Sequence, residues 1–383
     1  MLKLEGVVKQ YSYGKRLFGA VDMTVNDGEI LSILGLQGAG KTTLLKTIAG
    51  IEEYEGKITL DGKEIKGRTD DVIMVFDDGA LFPAKTVFDN LAYPLKIRGF
   101  HKVEIAEKVM KVADDFSLFA TLKTRVKNLT LAEKRKVSLA RLLMRESRLI
   151  LIDDFMKDLP LRDADNLFDE VSNICFDLAK NNGTTVIFAT ETPRYAFGFG
   201  DRTMVLVDGT IMQVGTYQEM YSAPTTVWSA QAVDECYNTI KGTLTYENER
   251  LTFTSTPLNS VFTLDDEGKV VWEDKELYKV IILDVTSHKD EIVDDYIGKD
   301  VILGWHGKDC VFDDNGLEIS VTFIKNLNGK IALQGDYDYS TLSVVVDDTP
   351  DNRKLKKITF LPKVENALFF TLSENSIMKR KRQ

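Results

Sequence analysis

The sequence predicts an α/β domain built on a mainly parallel sheet, followed by a small all-β domain. Three observations carry this reading. Up to about residue 236, strand-like and helix-like patterns alternate along the chain. Two apolar runs there, Ile150–Ile152 and Val186–Phe188, lack polar alternation, as strands buried on both faces do. After about residue 240 the long helical patterns fade, and short β-branched runs separated by turn residues take over.

The predicted strands of the first domain are Leu2–Lys9, Glu29–Leu34, Val72–Phe76, Arg148–Asp153, Thr185–Ala189 and Thr203–Val207. Between them fall helical stretches at Lys41–Gly50, Lys102–Asp115, Leu131–Met144 and Arg162–Lys180. The β-rich part offers Val301–Gly304, Leu317–Ile324, Leu342–Val346, Lys357–Leu361 and Ala367–Leu372. Acidic turns at Asp265–Gly268, Asp313–Gly316 and Asp347–Pro350 punctuate it, which is the texture of a small barrel.

A chain of 383 residues with 44% hydrophobic and 28% charged residues has ample core for two or three domains. The formal net charge of -10 is the wrong sign for a nucleic-acid binder, so that class is set aside. The one basic run, Lys379–Arg382, reads as a solvated tail. Cys175, Cys236 and Cys310 form no CxxC pair, so neither a metal knuckle nor a disulfide framework is expected, and a reducing cytoplasm fits. The N-terminus alternates like a strand and lacks a signal-peptide core. No uncharged apolar run approaches the roughly 18 residues needed to cross a membrane. His101, His288 and His306 are too scattered for a metal site; Trp228, Trp272, Trp305 and Phe369–Phe370 read as core or interface.

The strand at Glu29–Leu34 runs into Gly35-Leu36-Gln37-Gly38-Ala39-Gly40-Lys41-Thr42, and a helix follows. This is the P-loop pattern in its required strand–loop–helix setting. Glycines let the backbone wrap phosphates, the N–H groups form an anion nest, and the helix start adds positive potential. Lys41 then meets the outer phosphates and Thr42 offers its hydroxyl to Mg²⁺; Thr43, next in the helix, completes the phosphate-binding set. Downstream, Leu149–Ile152 ends in Asp153 and Asp154, a carboxylate pair at the tip of a buried strand and well placed to hold Mg²⁺ through water. ATP and Mg²⁺ are therefore the expected ligands.

The landmarks after the P-loop come in one order: Val75–Pro83, Leu129–Val137, Asp153-Asp154 and Phe188–Glu191. Order and spacing resemble the ATP-binding subunits of ABC transporters, most of all the carbohydrate-importer kind typified by the maltose importer's ATPase. Ala80-Leu81-Phe82-Pro83, Thr86-Val87, Asn90-Leu91 and Gln213-Val214-Gly215-Thr216 carry the subgroup likeness. The resemblance implies an ABC-type nucleotide-binding domain over 1–236 with a helical subdomain at about 84–147. It also implies a regulatory OB-type domain over 240–383. Two such subunits face each other and clamp two ATP molecules, each ATP touching the P-loop of one subunit and the signature segment of the other. Either Tyr11 or Tyr13 would stack on adenine, and Asp77–Leu91 would touch the transmembrane permease subunits from the cytoplasmic face.

This sequence departs from the family pattern at the positions that cut ATP. The γ-phosphate-sensing glutamine is Asp77, placed instead as a water-mediated Mg²⁺ ligand alongside Thr42 and Asp153. The base glutamate is Asp154 and the switch histidine is Glu191. The signature reads Leu129-Thr130-Leu131-Ala132-Glu133 instead of Leu-Ser-Gly-Gly-Gln, Phe155 replaces a proline, and Lys157–Pro160 lacks the usual turn. A carboxylate retracted by about an ångström costs roughly 10²-fold, and a lost transition-state donor about 10²–10³-fold. The expectation is a subunit that binds Mg-ATP, hydrolyses it poorly and pairs with a competent second ATP-binding subunit. Two alternatives stand beside it: an active homodimer with Asp154 as base, and a non-transport regulatory module.

Overall fold

The computed structural model describes residues 1–10, 16–75, 81–257, 260–264, 270–274, 280–292, 294–338 and 340–378. Tyr11, Tyr13, Asp77, the Asp265–Gly268 turn and the basic run at 379–382 lie outside the described residues. The chain divides into two compact units, Met1–Gln218 and Glu219–Gln383.

The first unit threads β1 (Leu2–Gln10), β2 (Arg16–Val25), β3 (Ile30–Leu34), α1 (Lys41–Ile48), β4 (Glu55–Leu60), β5 (Lys63–Glu64) and β6 (Val72–Val75). It continues through α2 (Val87–Ile97), α3 (Lys102–Asp115), α4 (Leu131–Leu142), β7 (Leu149–Asp153) and α5 (Leu161–Asn182). It ends with β8 (Thr185–Thr190), α6 (Pro193–Phe199), β9 (Arg202–Val207) and β10 (Thr210–Gly215). Six strands form one sheet in the order β10-β9-β3-β8-β7-β6, parallel except for β10. A second, antiparallel sheet runs β2-β1-β4-β5.

The sheet explains the unbroken apolar runs. Ile150, Ile152, Val186 and Phe188 join a core with α4 and α5, among them Val137, Leu167, Val171 and Cys175. Their strand neighbours Leu149, Leu151, Ile187 and Ala189 join a different core with α1 and the antiparallel sheet. Both faces are covered, so neither can be polar. Along α5, buried Ala164, Leu167, Val171, Cys175 and Ala179 recur at helical spacing, and Gly183 closes the helix at φ 68°.

Helices α2 to α4 make the helical part of this unit. The sequence reading placed α2 within the helical subdomain at about 84–147 without naming it as a helix, and Pro94 lies inside it. Its start is nonetheless well specified: the Thr86 hydroxyl accepts the Asp89 N–H at 3.1 Å. Asn90, fully buried, accepts the Phe82 N–H at 2.8 Å and donates to the carbonyls of Phe82 and Thr86. One amide thereby holds the loop before α2.

The second unit begins within α7 (Tyr217–Ser222) and continues through α8 (Val227–Val233), β11 (Tyr237–Glu247), β12 (Arg250–Ser255), β13 (Ser260–Leu264), β14 (Val270–Asp274) and β15 (Ile282–Asp284). Then come β16 (Asp300–His306), β17 (Cys310–Ser320), β18 (Phe323–Leu327), β19 (Lys330–Tyr337), β20 (Ser340–Asp347), β21 (Lys357–Pro362) and β22 (Leu368–Phe370). Sheets β15-β12-β11-β16-β22, β17-β21 and β18-β19-β20 contribute to one core, with Leu244, Phe253, Trp305, Leu333, Phe360 and Phe369 in it. The buried Asn238 amide ties β11 to β20: it donates to the Ser343 carbonyl and accepts the Ser343 N–H.

Three details differ from the sequence reading. Residues 219–236 were read with the first domain, but Val227 and Ala230 pack with Tyr237, Ile302 and Phe370 in the β unit. The run Leu317–Ile324 is split between β17 and β18. Asp313–Gly316 is not a turn between strands but a bulge inside β17, where Phe312 and Leu317 both face Phe360. A Cβ on Gly316 would lie 2.1 Å from the Phe360 carbonyl oxygen, so only glycine fits that approach.

Replacing Asn90 by Leu would remove three hydrogen bonds and leave the Phe82 N–H without its acceptor, while the carbonyls of Phe82 and Thr86 keep the backbone N–H groups of Lys85 and Asn90. The unfolding free energy in urea should fall by about 1–3 kcal/mol. An unchanged midpoint would show that this amide does not hold the loop.

Candidate functional site

Strand β3 sits between β8 and β9, so the loop leaving its carboxyl end opens at the centre of the sheet. Open α/β sheets place their ligands at such ends. Gly35 is fixed on both sides: its N–H donates to the Thr190 carbonyl at 3.3 Å, and a Cβ there would lie 2.5 Å from the Leu206 carbonyl oxygen. Gly38 and Gly40 take φ of 86° and 103°, and the space in front of Gly38 is open. Gly40 is the cap of α1, with no side chain and no acid in the first turn to occupy the helix start. Gln37 is exposed, Ala39 buried, and Thr42 and Thr43 half-buried at the first turn.

Lys41 is 4% exposed and turns back over this loop. Its ammonium donates to the carbonyls of Gly35 at 2.9 Å and Leu36 at 3.3 Å. The same nitrogen lies 3.4 Å from an Asp154 carboxylate oxygen and 3.6 Å from one of Glu191. The structure thus brings three of the residues singled out in the sequence into one ion cluster. Asp153, at the end of β7, is buried beside them in sequence.

Asp154 is held in an unusual backbone state. Its φ is +39°, a left-handed value that costs a non-glycine residue energy. Two contacts impose it. The Asp154 N–H donates to Ala189 at 3.0 Å, extending the β7–β8 ladder. From the other side, Arg135 on α4 donates to the carbonyls of Asp154 (3.2 Å), Phe155 (2.8 Å) and Lys157 (3.1 Å). Its guanidinium also lies 5.7 Å from the centre of the buried Phe155 ring. Phe155 therefore fills core and packs against this arginine. Sequence reasoning had passed over Arg135, whose only signal was a basic residue on the inward face of a helix.

The signature segment stands apart. Thr130 caps α4: its hydroxyl accepts the Glu133 N–H at 3.3 Å and donates to the Glu133 carboxylate at 2.9 Å. Glu133 in return accepts the Thr130 N–H at 2.8 Å. This reciprocal box occupies the polar atoms of both residues. Leu131 is exposed and Ala132 half-buried. Among the described residues, no hydrogen bond or ion pair joins Thr130–Glu133 to the P-loop.

Burial pushes the Asp154 carboxyl above the ordinary value of 3.8, Lys41 opposes the rise and Glu191 adds to it. A carboxyl that holds its proton more tightly in the folded chain stabilises the fold as pH falls through its raised pKa, and the gain levels off below the ordinary value. The unfolding free energy of the native chain minus that of Asp154→Asn should therefore grow as the pH is lowered from neutral toward the ordinary carboxylate value. A flat difference would mean the carboxyl is not raised.

The chain is similar to known proteins over the unit that carries this site. The family profile described as ABC transporter matches residues 18–157. The sn-glycerol-3-phosphate import ATP-binding protein UgpC of Vibrio vulnificus is 32% identical over 61% of this chain, and the match spans 63% of that protein's length. YurJ of Bacillus subtilis, an uncharacterized ABC transporter ATP-binding protein, is 31% identical over 67% of this chain and 70% of its own. The fold resembles that of cbiO1 from Clostridium perfringens, with a TM-score of 0.53 at 23% identity over 58% of this chain and 90% of that one. It also resembles the bacterial cassette MJ0796, solved as a dimer, with a TM-score of 0.51 at 24% identity over 56% and 98% of the two chains. With a P-loop at the centre of such a sheet, and with 31% identity to YurJ over 67% of this chain and 70% of that protein, the chain belongs to the ABC transporter ATP-binding protein family.

Proposed function

We propose that this chain is the ATP-binding subunit of an importer for a carbohydrate-type solute, that it binds Mg-ATP at residues 35–43, and that it hydrolyses it poorly beside a competent second ATPase subunit. The residues fit a bound polyphosphate. The open space before Gly38, the uncapped helix start and the Lys41 ammonium suit an anion, while the Thr42 hydroxyl and Asp153 carboxylate are the hard oxygen donors that Mg²⁺ takes. Bound Mg-ATP would supply the phosphoryl group and the energy of closing two subunits together.

The cluster at Lys41 carries the reading of poor hydrolysis. Asp154 stands in the position of the base, and its carboxylate is ion-paired to the lysine that should serve the outer phosphates. Glu191 adds a second negative charge 3.6 Å from the same ammonium, where a donor is wanted. The capped Thr130 and the side chains of Leu131 and Ala132 weaken the segment that would meet a partner's nucleotide. One observation favours the alternative of an active homodimer: the raised proton affinity of Asp154 is in the direction a general base needs.

The importer reading draws on the relatives whose names include sn-glycerol-3-phosphate import, and that solute is an option beside sugars. For the permease contact, Phe82 and Tyr93 are both exposed with ring centroids 4.6 Å apart, and Ile97 and Phe100 extend the apolar surface along and beyond α2. Among the described residues no helix is long and apolar enough to cross a membrane, so a peripheral place at its cytoplasmic face is proposed.

Steady-state hydrolysis of Mg-ATP by the native chain should be indistinguishable from that of Lys41→Ala. The double variant Asp154→Glu/Glu191→His should turn over at least about 10²-fold faster than either, once mixed with a competent partner or at a concentration that allows pairing. Clear native turnover lost in Lys41→Ala would establish Asp154 as a working base and the homodimer as the better description.

A further inference from the structure

Lys41 is one positive charge facing two negative ones. Its ammonium is 3.4 Å from Asp154 and 3.6 Å from Glu191, and two carbonyl oxygens of the loop take its other hydrogen-bonding directions. An ammonium has three donors, so these four acceptors already saturate it. In a P-loop this lysine reaches the outermost phosphates of the ligand. The carboxylates that hold it therefore lie within one ion pair of the place the terminal phosphate would take.

The other charges nearby do not offset them. Arg135 is directed at the carbonyls of Asp154, Phe155 and Lys157, behind the carboxylates. Lys157 acts on Asp154, but more weakly than Lys41 does. The inner part of the loop carries no acid: the first turn of α1 has none, and the space in front of Gly38 is open. The inner phosphates thus meet backbone donors, while the terminal phosphate meets a net negative cluster.

We infer that the Asp154–Glu191 pair makes this site selective for a nucleoside diphosphate over the triphosphate. This rests on the proposed binding of nucleotide at the P-loop and deepens it. Each carboxylate opposes the charge of a third phosphate more than that of the second, because the third carries the phosphate chain further toward Lys41 and the pair that holds it. Glu191 is the stronger determinant of the difference for a simple reason: it stands where a neutral or positive donor would instead attract that phosphate. Poor hydrolysis and poor retention of the triphosphate then have the same cause.

The test is calorimetric and needs no turnover. Dissociation constants for Mg-ADP and Mg-ATP are measured for the native chain, Glu191→Gln, Asp154→Asn and Lys41→Ala at one ionic strength. The native chain should bind Mg-ADP about tenfold more tightly than Mg-ATP. Glu191→Gln and Asp154→Asn should each narrow that ratio by tightening Mg-ATP more than Mg-ADP, and an unchanged circular dichroism spectrum shows that each variant is folded. Equal or tighter native binding of Mg-ATP, or a ratio unmoved in both variants, overturns the selectivity and leaves nucleotide binding at the P-loop standing. Native binding of neither nucleotide, as in Lys41→Ala, overturns both.

Discussion

A buried ammonium has to be paired, and in this chain that requirement organises the site. Lys41 cannot stay charged at 4% exposure without acceptors around it. The loop supplies two carbonyls, β7 delivers Asp154, and the turn after β8 delivers Glu191. Three separate stretches of sequence thus converge on one nitrogen. Their convergence depends on the order of the parallel sheet, in which β3 and β7 flank β8.

The strain at Asp154 is the local cost of that convergence. A left-handed aspartate needs outside support, and it gets it from the ladder at Ala189 and from Arg135 reaching across from α4. Arg135 connects the helix that begins with the signature segment to the turn that carries the acid pair. A movement of α4 would therefore be felt at Asp154 through three hydrogen bonds to one short turn. Such a link is a positioning device, separate from anything that touches a ligand.

Much of this was legible in the sequence. The P-loop announced itself through glycine spacing, and the unalternating runs at 150–152 and 186–188 reported strands covered on both faces. The Asp154 and Glu191 departures were visible as residue types. What no pattern could show is that both reach the same lysine, because that depends on side-chain paths across three strands. Arg135 was hidden because an arginine between two lysines looks solvated. The bulge at Asp313–Gly316 was hidden because its turn chemistry is that of a hairpin, and only pairing to Phe360 shows the strand continuing. The boundary at about residue 236 was drawn where the alternation of strand and helix patterns fades, yet Val227 and Ala230 of α8 pack with Phe370 and Ile302.

The central claim is the ion pair between Lys41 and Asp154 in the chain without nucleotide, and a double-mutant cycle measures it directly. Unfolding free energies of the native chain, Lys41→Met, Asp154→Asn and the double variant give the coupling between the two side chains. A coupling of about 1–3 kcal/mol in favour of the pair is predicted for groups this close and this shielded. Additive effects, with no coupling beyond about 0.3 kcal/mol, would contradict the account, since Asp154 would then not hold Lys41.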